Sequence, residues 1–410
     1  MPVAKVGHVG IHRDGANGGR VNYYCKLPPD IGERELAMVL AALRSGRLAL
    51  GPMLGEFERA LAQKLGVEHV SAVSSGTAAL HLAVRAAGIA PGDEVVTTPF
   101  SFVASANCIL YEGAKPVFCD IDPVTFNIDP DAACAAVGPR TTGLLPVHIF
   151  GYPADMRRLE DLARTHGLWI VEDACEALGA VHEDGVRVGA RGNLAAFGFY
   201  PNKQITTGEG GALVCPDAAT KARVDSERNQ GRAPDMGWLD HVRLGFNYRL
   251  DELSCALGLA QLERLEELLS ARARVAAGYR ERLGDIDGLE LPCPDRGGAR
   301  RSWFVFCVLL PEGVDRAAAM AALRARGVET KPYLPAIHLF SFYRERFGYR
   351  PGQFPVCERV AERSLALPFH TQLGDSELDR VSEALRSVLA ELRASPSARR
   401  PRARSDNGGT

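Results

Sequence analysis

Lysine is scarce in this chain of 410 residues: 7 of its 48 basic side chains are lysines and the rest are arginines. A lysine set among apolar and glycine residues therefore stands apart from the general surface charge. An excess of either sign is lacking too, since 48 basic against 50 acidic residues leave a formal charge of −2. That balance excludes a general binder of nucleic acid or of an anionic membrane. No apolar run approaches the roughly 20 residues that span a bilayer. Residues 1–20 are rich in glycine and charge, without the continuous apolar core of a secretory signal. A cytoplasmic enzyme is the expectation. Ten cysteines occur, but no C-x-x-C pair, so neither a zinc ribbon nor a thioredoxin-type centre is supported and no metal site is read. They read as small buried hydrophobes. The Walker sequence G-x-x-x-x-G-K-[ST] is absent, and the one strand–turn–helix glycine, Gly76, lacks the spacing of a dinucleotide fingerprint. Neither ATP nor NAD is indicated.

What the chain does contain is a large apolar fraction, 46%, with 24% charged residues, enough for a sizeable core and two domains. Residues 1–23 read as a flexible arm. Helical spacing of apolar side chains follows at 31–43 and 54–65, and then the pattern alternates. Strands are predicted at 69–74, 94–98, 116–120, 143–149 and 168–173, with helices at 78–87, from about 99 to 111, and at 155–166. Such alternation predicts an α/β fold with a mostly parallel central sheet covered by helices. Residues 251–283 are rich in helix formers, 302–310 read as a strand, and 316–326 and 359 onward as helices. The expected division is a large domain over 24–270 and a smaller C-terminal α+β domain over 271–394. The last stretch, 395–410, is Pro, Arg, Ser and Gly and reads as a disordered tail, its six residues 399–404 being a solvated terminus rather than a nucleic-acid patch.

Three separated pieces carry chemistry. Lys203 lies between the aromatic residues Phe197, Phe199 and Tyr200 and the turn Gly208-Glu-Gly-Gly211. In an apolar setting a lysine amine serves as nucleophile and proton carrier; standing alone, it also fits a solvated side chain beside a hairpin. Ser75-Gly76-Thr77 falls between a predicted strand and a predicted helix. There it either caps the helix or holds a phosphate on the open N–H groups. Asp173 ends a strand read as fully buried, at the edge where α/β sheets bind ligands. It fits a capping acid, or a partner that keeps a pyridine nitrogen protonated. Together the three supply what pyridoxal phosphate needs: a Schiff-base amine, an anchor for phosphate and an acid for the ring nitrogen.

At this level of detail the chain resembles the DegT/DnrJ/EryC1/StrS family of pyridoxal-phosphate-dependent, mostly nucleotide-sugar aminotransferases of the aspartate-aminotransferase fold type I. Seven motifs carry the resemblance in order: Ser75-Gly-Thr-Ala-Ala-Leu80, Gly92-Asp-Glu-Val95, Pro99-Phe-Ser-Phe-Val-Ala-Ser-Ala-Asn107, Pro116-Val-Phe-Cys-Asp-Ile-Asp122, Val171-Glu-Asp-Ala-Cys-Glu-Ala-Leu-Gly179, Lys203 with Thr206-Thr-Gly-Glu-Gly-Gly211, and Gly245-Phe-Asn-Tyr-Arg249. The resemblance implies Lys203 as Schiff-base lysine and proton shuttle, worth about 10²–10⁴-fold in rate as a positioned acid–base group. It further implies Asp173 on the ring nitrogen, Phe102 stacked on the ring, and Gly76 and Thr77 on the phosphate. Asn247 would reach that phosphate from the neighbouring subunit, which implies a homodimer with shared active sites. Tyr248, Arg249 and His338 are weaker candidates for substrate or partner contacts.

Two positions depart from the family pattern. Gly198 stands where a phosphate-binding serine is common, and Glu176 where glutamine or histidine is common near the ring hydroxyl. The implied reaction is ping-pong transamination from an amino acid, by family habit L-glutamate, to a keto group on a sugar, nucleotide-linked in most members. A ketocyclitol acceptor stays open. The family's dehydratase branch replaces the lysine with histidine, so Lys203 argues against it, and an intact Lys203, Asp173 and Thr77 argue against a non-catalytic regulator. Selectivity for the acceptor is expected from loops near 230–238 and 331–342.

Overall fold

A computed structural model of the chain describes residues 29–233 and 240–394; the expected arm at 1–23, the tail at 395–410 and part of the 230–238 loop lie outside the described residues. The described chain opens with two helices, α1 (Glu33–Arg44) and α2 (Pro52–Leu65). Strands and helices then alternate: β1 (His69–Val73), α3 (Gly76–Ala86), β2 (Glu94–Thr97), α4 (Ala104–Tyr111), β3 (Lys115–Phe118), α5 (Pro130–Ala136), β4 (Thr141–Leu145), α6 (Met156–His166) and β5 (Trp169–Asp173). Two strands follow with no helix between them, β6 (Leu194–Gly198) and β7 (Gly211–Cys215), before α7 (Ala218–Arg228), α8 (Glu252–Glu263) and α9 (Leu265–Leu283). The remainder comprises β8 (Cys307–Leu309), α10 (Arg316–Ala325), α11 (Ser341–Phe347), α12 (Pro355–Arg363), β9 (Ser364–Ala366) and α13 (Asp375–Ala394).

Seven strands form one sheet in the order β1-β7-β6-β5-β4-β2-β3. All neighbours are parallel except β7, which runs antiparallel to both β1 and β6. Every residue of β6 and β7 is buried, as expected for strands covered on both faces. On one face Leu80, Leu82 and Val84 of α3 pack with Phe100 and Ile109. On the other, Phe57 and Leu61 of α2 meet Leu262, Leu265 and Leu268. A third core gathers Tyr279, Phe306, Leu323, Val381 and Leu385 around the antiparallel pair β8 and β9.

This topology fixes where chemistry can occur. Parallel strands present their carboxyl ends on one edge of the sheet, where ligands bind. Because β7 is reversed, its first residue joins that edge: Gly211 lies opposite Val73 on one side and Gly198 on the other. The ends of β1, β5 and β6 and the start of β7 thus come together.

One sequence expectation is corrected. Residues 302–310 do not form one strand; only Cys307–Leu309 is paired. Trp303 sits at φ 50 in the left-handed region, and the N–H groups of Ser302 and Phe304 bond the carbonyls of Gly151 and Phe150 instead. That segment is docked onto the large sheet unit, a tertiary demand that strand propensity does not express. The helix-rich stretch 251–283 breaks at Arg264 (φ −101, ψ 7), whose guanidinium is drawn to Asp30, Glu35 and Glu267. The expected domain boundary at 270/271 falls inside α9. Among the described residues no helix is long and apolar enough to cross a membrane.

Candidate active site

The first wall of the site is the start of α3. Ser75 is extended (φ −166, ψ 162) and its Oγ accepts the N–H of Ala78 at 3.0 Å, so the helix is capped as its sequence predicts. Capping leaves other first-turn N–H groups, those of Gly76 and Thr77, without intrahelical partners and at the positive end of the helix dipole. The glycines here answer to close backbone approach. A Cβ at Gly76 would meet Cys175 Sγ at 2.9 Å and Gly198 Cα at 3.2 Å, and one at Gly211 would meet the Ser75 carbonyl at 2.5 Å.

Asp173 ends β5 and is 5% exposed. Its Oδ2 accepts the Ser105 hydroxyl at 2.6 Å and its Oδ1 the Cys175 N–H at 3.1 Å. Both donors are neutral, and among the described residues Asp173 takes part in no ion pair. A buried carboxylate without a counter-cation is costly unless something cationic binds beside it. Phe102, at the turn into α4, is 62% exposed and presents its ring to the same cleft.

Lys203 sits on the loop between β6 and β7. That loop is closed by the Phe199 N–H bonding the Gly210 carbonyl at 2.9 Å and the Thr207 N–H bonding the Phe199 carbonyl at 3.0 Å, while Gly208 takes φ +84, a turn that suits glycine. The Lys203 amine is 3.5 Å from Glu176 Oε1 and 4.1 Å from the centre of the Phe304 ring, a cation–π distance. Its carbonyl accepts Nη2 of buried Arg272 at 2.6 Å. Nη1 of the same guanidinium bonds the carbonyls of Trp303 and Phe304 at 3.3 Å. One arginine on α9 thereby ties the lysine's backbone to the segment that carries the ring beneath its amine. Burial lowers the Arg272 pKa to about 10, which leaves it cationic at neutral pH.

Gly76, Thr77, Phe102, Asp173, Glu176 and Lys203 line one cleft of about 450 Å³. Four other expected site residues stand outside it within the chain. Asn247 is exposed. The Tyr248 hydroxyl pairs with His81 Nδ1 at 3.0 Å, and Arg249 reaches Asn229 Oδ1 at 3.1 Å. His338 is fully buried, with Nε2 3.0 Å from Glu358 Oε1, and burial lowers its pKa; it contacts Glu358 and Phe354 rather than the cleft. Sequence reasoning missed Ser105, Phe304 and Arg272. Ser105 lies within the 99–107 motif and could have been found there, whereas Phe304 and Arg272 arrive from distant segments with no local pattern. A buried cluster of His148, Glu172 and His182 lies behind the strand end. His148 Nδ1 accepts the Ala154 N–H at 3.0 Å, which assigns the ring proton to Nε2, facing Glu172 Oε2 at 3.0 Å. That tautomer offers no lone pair there for a metal.

A seven-stranded sheet of this order, with lysine, buried carboxylate and open helix start on one edge, defines an α/β enzyme of aspartate-aminotransferase fold type I. The chain belongs to the DegT/DnrJ/EryC1/StrS aminotransferase family, whose model matches residues 29–386. It is 38% identical over 343 residues to the GDP-perosamine synthase of Caulobacter vibrioides, covering 83% of this chain and 91% of that protein. Among solved structures, DesV of S. venezuelae matches with TM-score 0.82 at 36% identity, covering 87% of this chain and 94% of that one. 3-Amino-5-hydroxybenzoic acid synthase matches with TM-score 0.84 at 30% identity, covering 90% and 100%. The chain is accordingly an aminotransferase.

Proposed function

We propose that this aminotransferase uses pyridoxal phosphate to move an amino group from an amino acid, L-glutamate, to the keto group of a nucleotide-linked sugar in amino-sugar or natural-product biosynthesis. The observation that carries the reading is the shared cleft: the amine of Lys203 and the unpaired, buried Asp173 face the same space as the open start of α3. The residues fit the cofactor. Asp173 is held by two neutral donors and takes part in no ion pair among the described residues, and the first-turn N–H groups of Gly76 and Thr77 have no partner within α3.

When bound, the cofactor supplies an electron sink for the carbon that loses its proton. The chain supplies the rest. Asp173 would hold the ring nitrogen protonated, Gly76 and Thr77 would hold the phosphate through N–H groups, and Phe102 would cover one ring face. Lys203 is the covalent anchor through Nζ, and the same nitrogen carries a proton to and from the substrate carbon once freed. Glu176 would lie near the ring hydroxyl.

A homodimer with shared sites completes the reading. Asn247 is exposed, and Leu36, Leu40 and Leu43 make an apolar stripe along α1 at exposures of 43–50% or nearby, with Leu244 at 71%. Such surface suits a second copy, and Asn247 would then serve the neighbour's phosphate. Tyr248 and Arg249 act through their contacts with His81 and Asn229 beside Asn247, and His338 through its contacts with Glu358 and Phe354. The larger and smaller units divide along α9, and the enzyme works in the cytoplasm.

A carbocyclic keto acceptor is the second reading, favoured by the likeness to 3-amino-5-hydroxybenzoic acid synthase. The test is a screen of nucleotide-linked ketosugars, free ketosugars and ketocyclitols against the aminated form of the enzyme, with amine product measured by mass spectrometry. Nucleotide-linked ketosugars are expected to react fastest. Reaction only with carbocycles would overturn the sugar assignment.

A further inference from the structure

The amine of Lys203 has a fixed companion. Glu176 Oε1 lies 3.5 Å from Nζ, and Oε2 accepts the Phe150 N–H at 2.9 Å. The main chain behind it is also held, because the Glu176 carbonyl accepts from the Gln204 amide and lies 3.5 Å from Ser302 Oγ. The carboxylate therefore stays beside the amine unless it surrenders the Phe150 bond. Both side chains are nearly enclosed, 8% exposed for Glu176 and 14% for Lys203.

We propose that Glu176 and Lys203 form a proton-sharing pair, in which Glu176 takes the ammonium proton when the amine must react and returns it when the amine is released. Two arrangements of equal net charge compete in such a pair: ammonium with carboxylate, and amine with carboxylic acid. Coulomb attraction favours the first and desolvation the second. Burial pushes the Glu176 carboxyl above the usual carboxylate range; Lys203 opposes this and the Asp173 charge adds to it. The other groups facing the pair do not replace Glu176. The Cys175 thiol is kept protonated by burial, Arg272 bonds the Lys203 carbonyl, and the Phe304 ring supplies a face and no base.

The step balances without any redox partner. The proton leaves Nζ for a Glu176 oxygen, the freed lone pair adds to an aldehyde carbon, and condensation forms the C=N bond and releases one water. Glu176 then has no ammonium beside it and keeps the proton, so that its O–H becomes a hydrogen-bond donor toward the cleft.

The inference rests on Lys203 as the reacting amine of the proposed function, yet its test needs neither cofactor nor acceptor, so the two can fail separately. The full chain, stripped of small molecules, is treated with formaldehyde and cyanoborohydride between about pH 5 and about pH 8, and methylation at each lysine is followed by peptide mass spectrometry. A lysine titrating alone gains about tenfold in neutral amine per pH unit below its pKa. Lys64, which takes part in no ion pair among the described residues, serves as the internal reference for the pH dependence of the reagent. In the wild-type chain Lys203 is expected to gain less than about threefold per unit over the lower part of the range, because one shared proton partitions between the two groups independently of pH. Glu176→Gln keeps an oxygen for the Phe150 N–H and should restore the full tenfold slope. A tenfold slope at Lys203 in the wild-type chain overturns the proposal, as does a variant that changes the rate without changing the slope. If the variant fails to fold, the wild-type slope against Lys64 still decides.

Discussion

Replacing Asp173 with asparagine should act in opposite directions on the unloaded and the loaded protein. Without cofactor, Asp173 is a buried charge held by Ser105 and Cys175 alone. The amide of Asn can still accept the Cys175 N–H through its oxygen and can donate to the Ser105 hydroxyl, so both bonds survive while the uncompensated charge disappears. Stability of the unloaded chain should therefore be unchanged or raised by up to about 1 kcal/mol. With cofactor, the charge-assisted bond to the ring nitrogen is lost, which costs about 1.5–3 kcal/mol. Affinity for pyridoxal phosphate should fall roughly 10- to 150-fold. Two measurements separate the effects: urea unfolding without cofactor, and absorbance titration with it, the stabilisation by ligand following from the measured affinity. Unchanged affinity would refute the pairing of Asp173 with the ring. A large loss of stability in the unloaded chain would show instead that the carboxylate serves the fold.

Other outcomes follow from the same geometry. Gly76→Ala places a methyl 2.9 Å from Cys175 Sγ and 3.2 Å from Gly198 Cα; a loss of about 1–3 kcal/mol in urea unfolding is expected, partly recovered by adding Cys175→Ala. Gly198→Ser is expected to be tolerated, since its Cβ would find neighbours no nearer than 3.4 Å. The added hydroxyl at the phosphate end should tighten cofactor binding by about 0.5–1.5 kcal/mol, and weaker binding on titration would count against the cradle. Burial holds the His182 pKa at about 4. As the pH falls below about 6.5 the unfolded chain binds a proton that the native chain refuses, so stability present above that pH is lost toward about 4, on the order of 3 kcal/mol. His182→Phe should flatten this part of the stability profile, and an unaltered slope would assign the acid sensitivity elsewhere.

Strands β1 to β5 and helices α3, α4 and α6 were legible because each is a local pattern, short apolar runs ending in turn residues and apolar spacing closed by glycine, whereas β6, β7 and α5 were not read as elements. The edge residues Gly76, Asp173 and Lys203 were legible for the same reason, each being tied to the end of an element. Strand order was not, because nothing in 211–215 alone says that it inserts between β1 and β6 in reverse. Long-range tethers were equally silent. Arg272 looks like any arginine on a helix until its guanidinium is found on the Lys203 carbonyl, and Trp303 adopts its positive φ only because residues 302–304 bond the 150–151 turn. His338 is a separate case. Its residue type suggested chemistry, whereas its contacts with Glu358 and Phe354 make it part of the packing.

The most direct measurement is a single half-reaction. The chain is loaded with pyridoxal phosphate, freed of excess, and given ¹⁵N-labelled L-glutamate with no acceptor present. One equivalent of 2-oxoglutarate per chain is expected, with the label retained on protein-bound cofactor, and none from Lys203→Ala. A loaded wild-type chain that yields no 2-oxo acid from glutamate or any other amino acid would contradict amino transfer at Lys203.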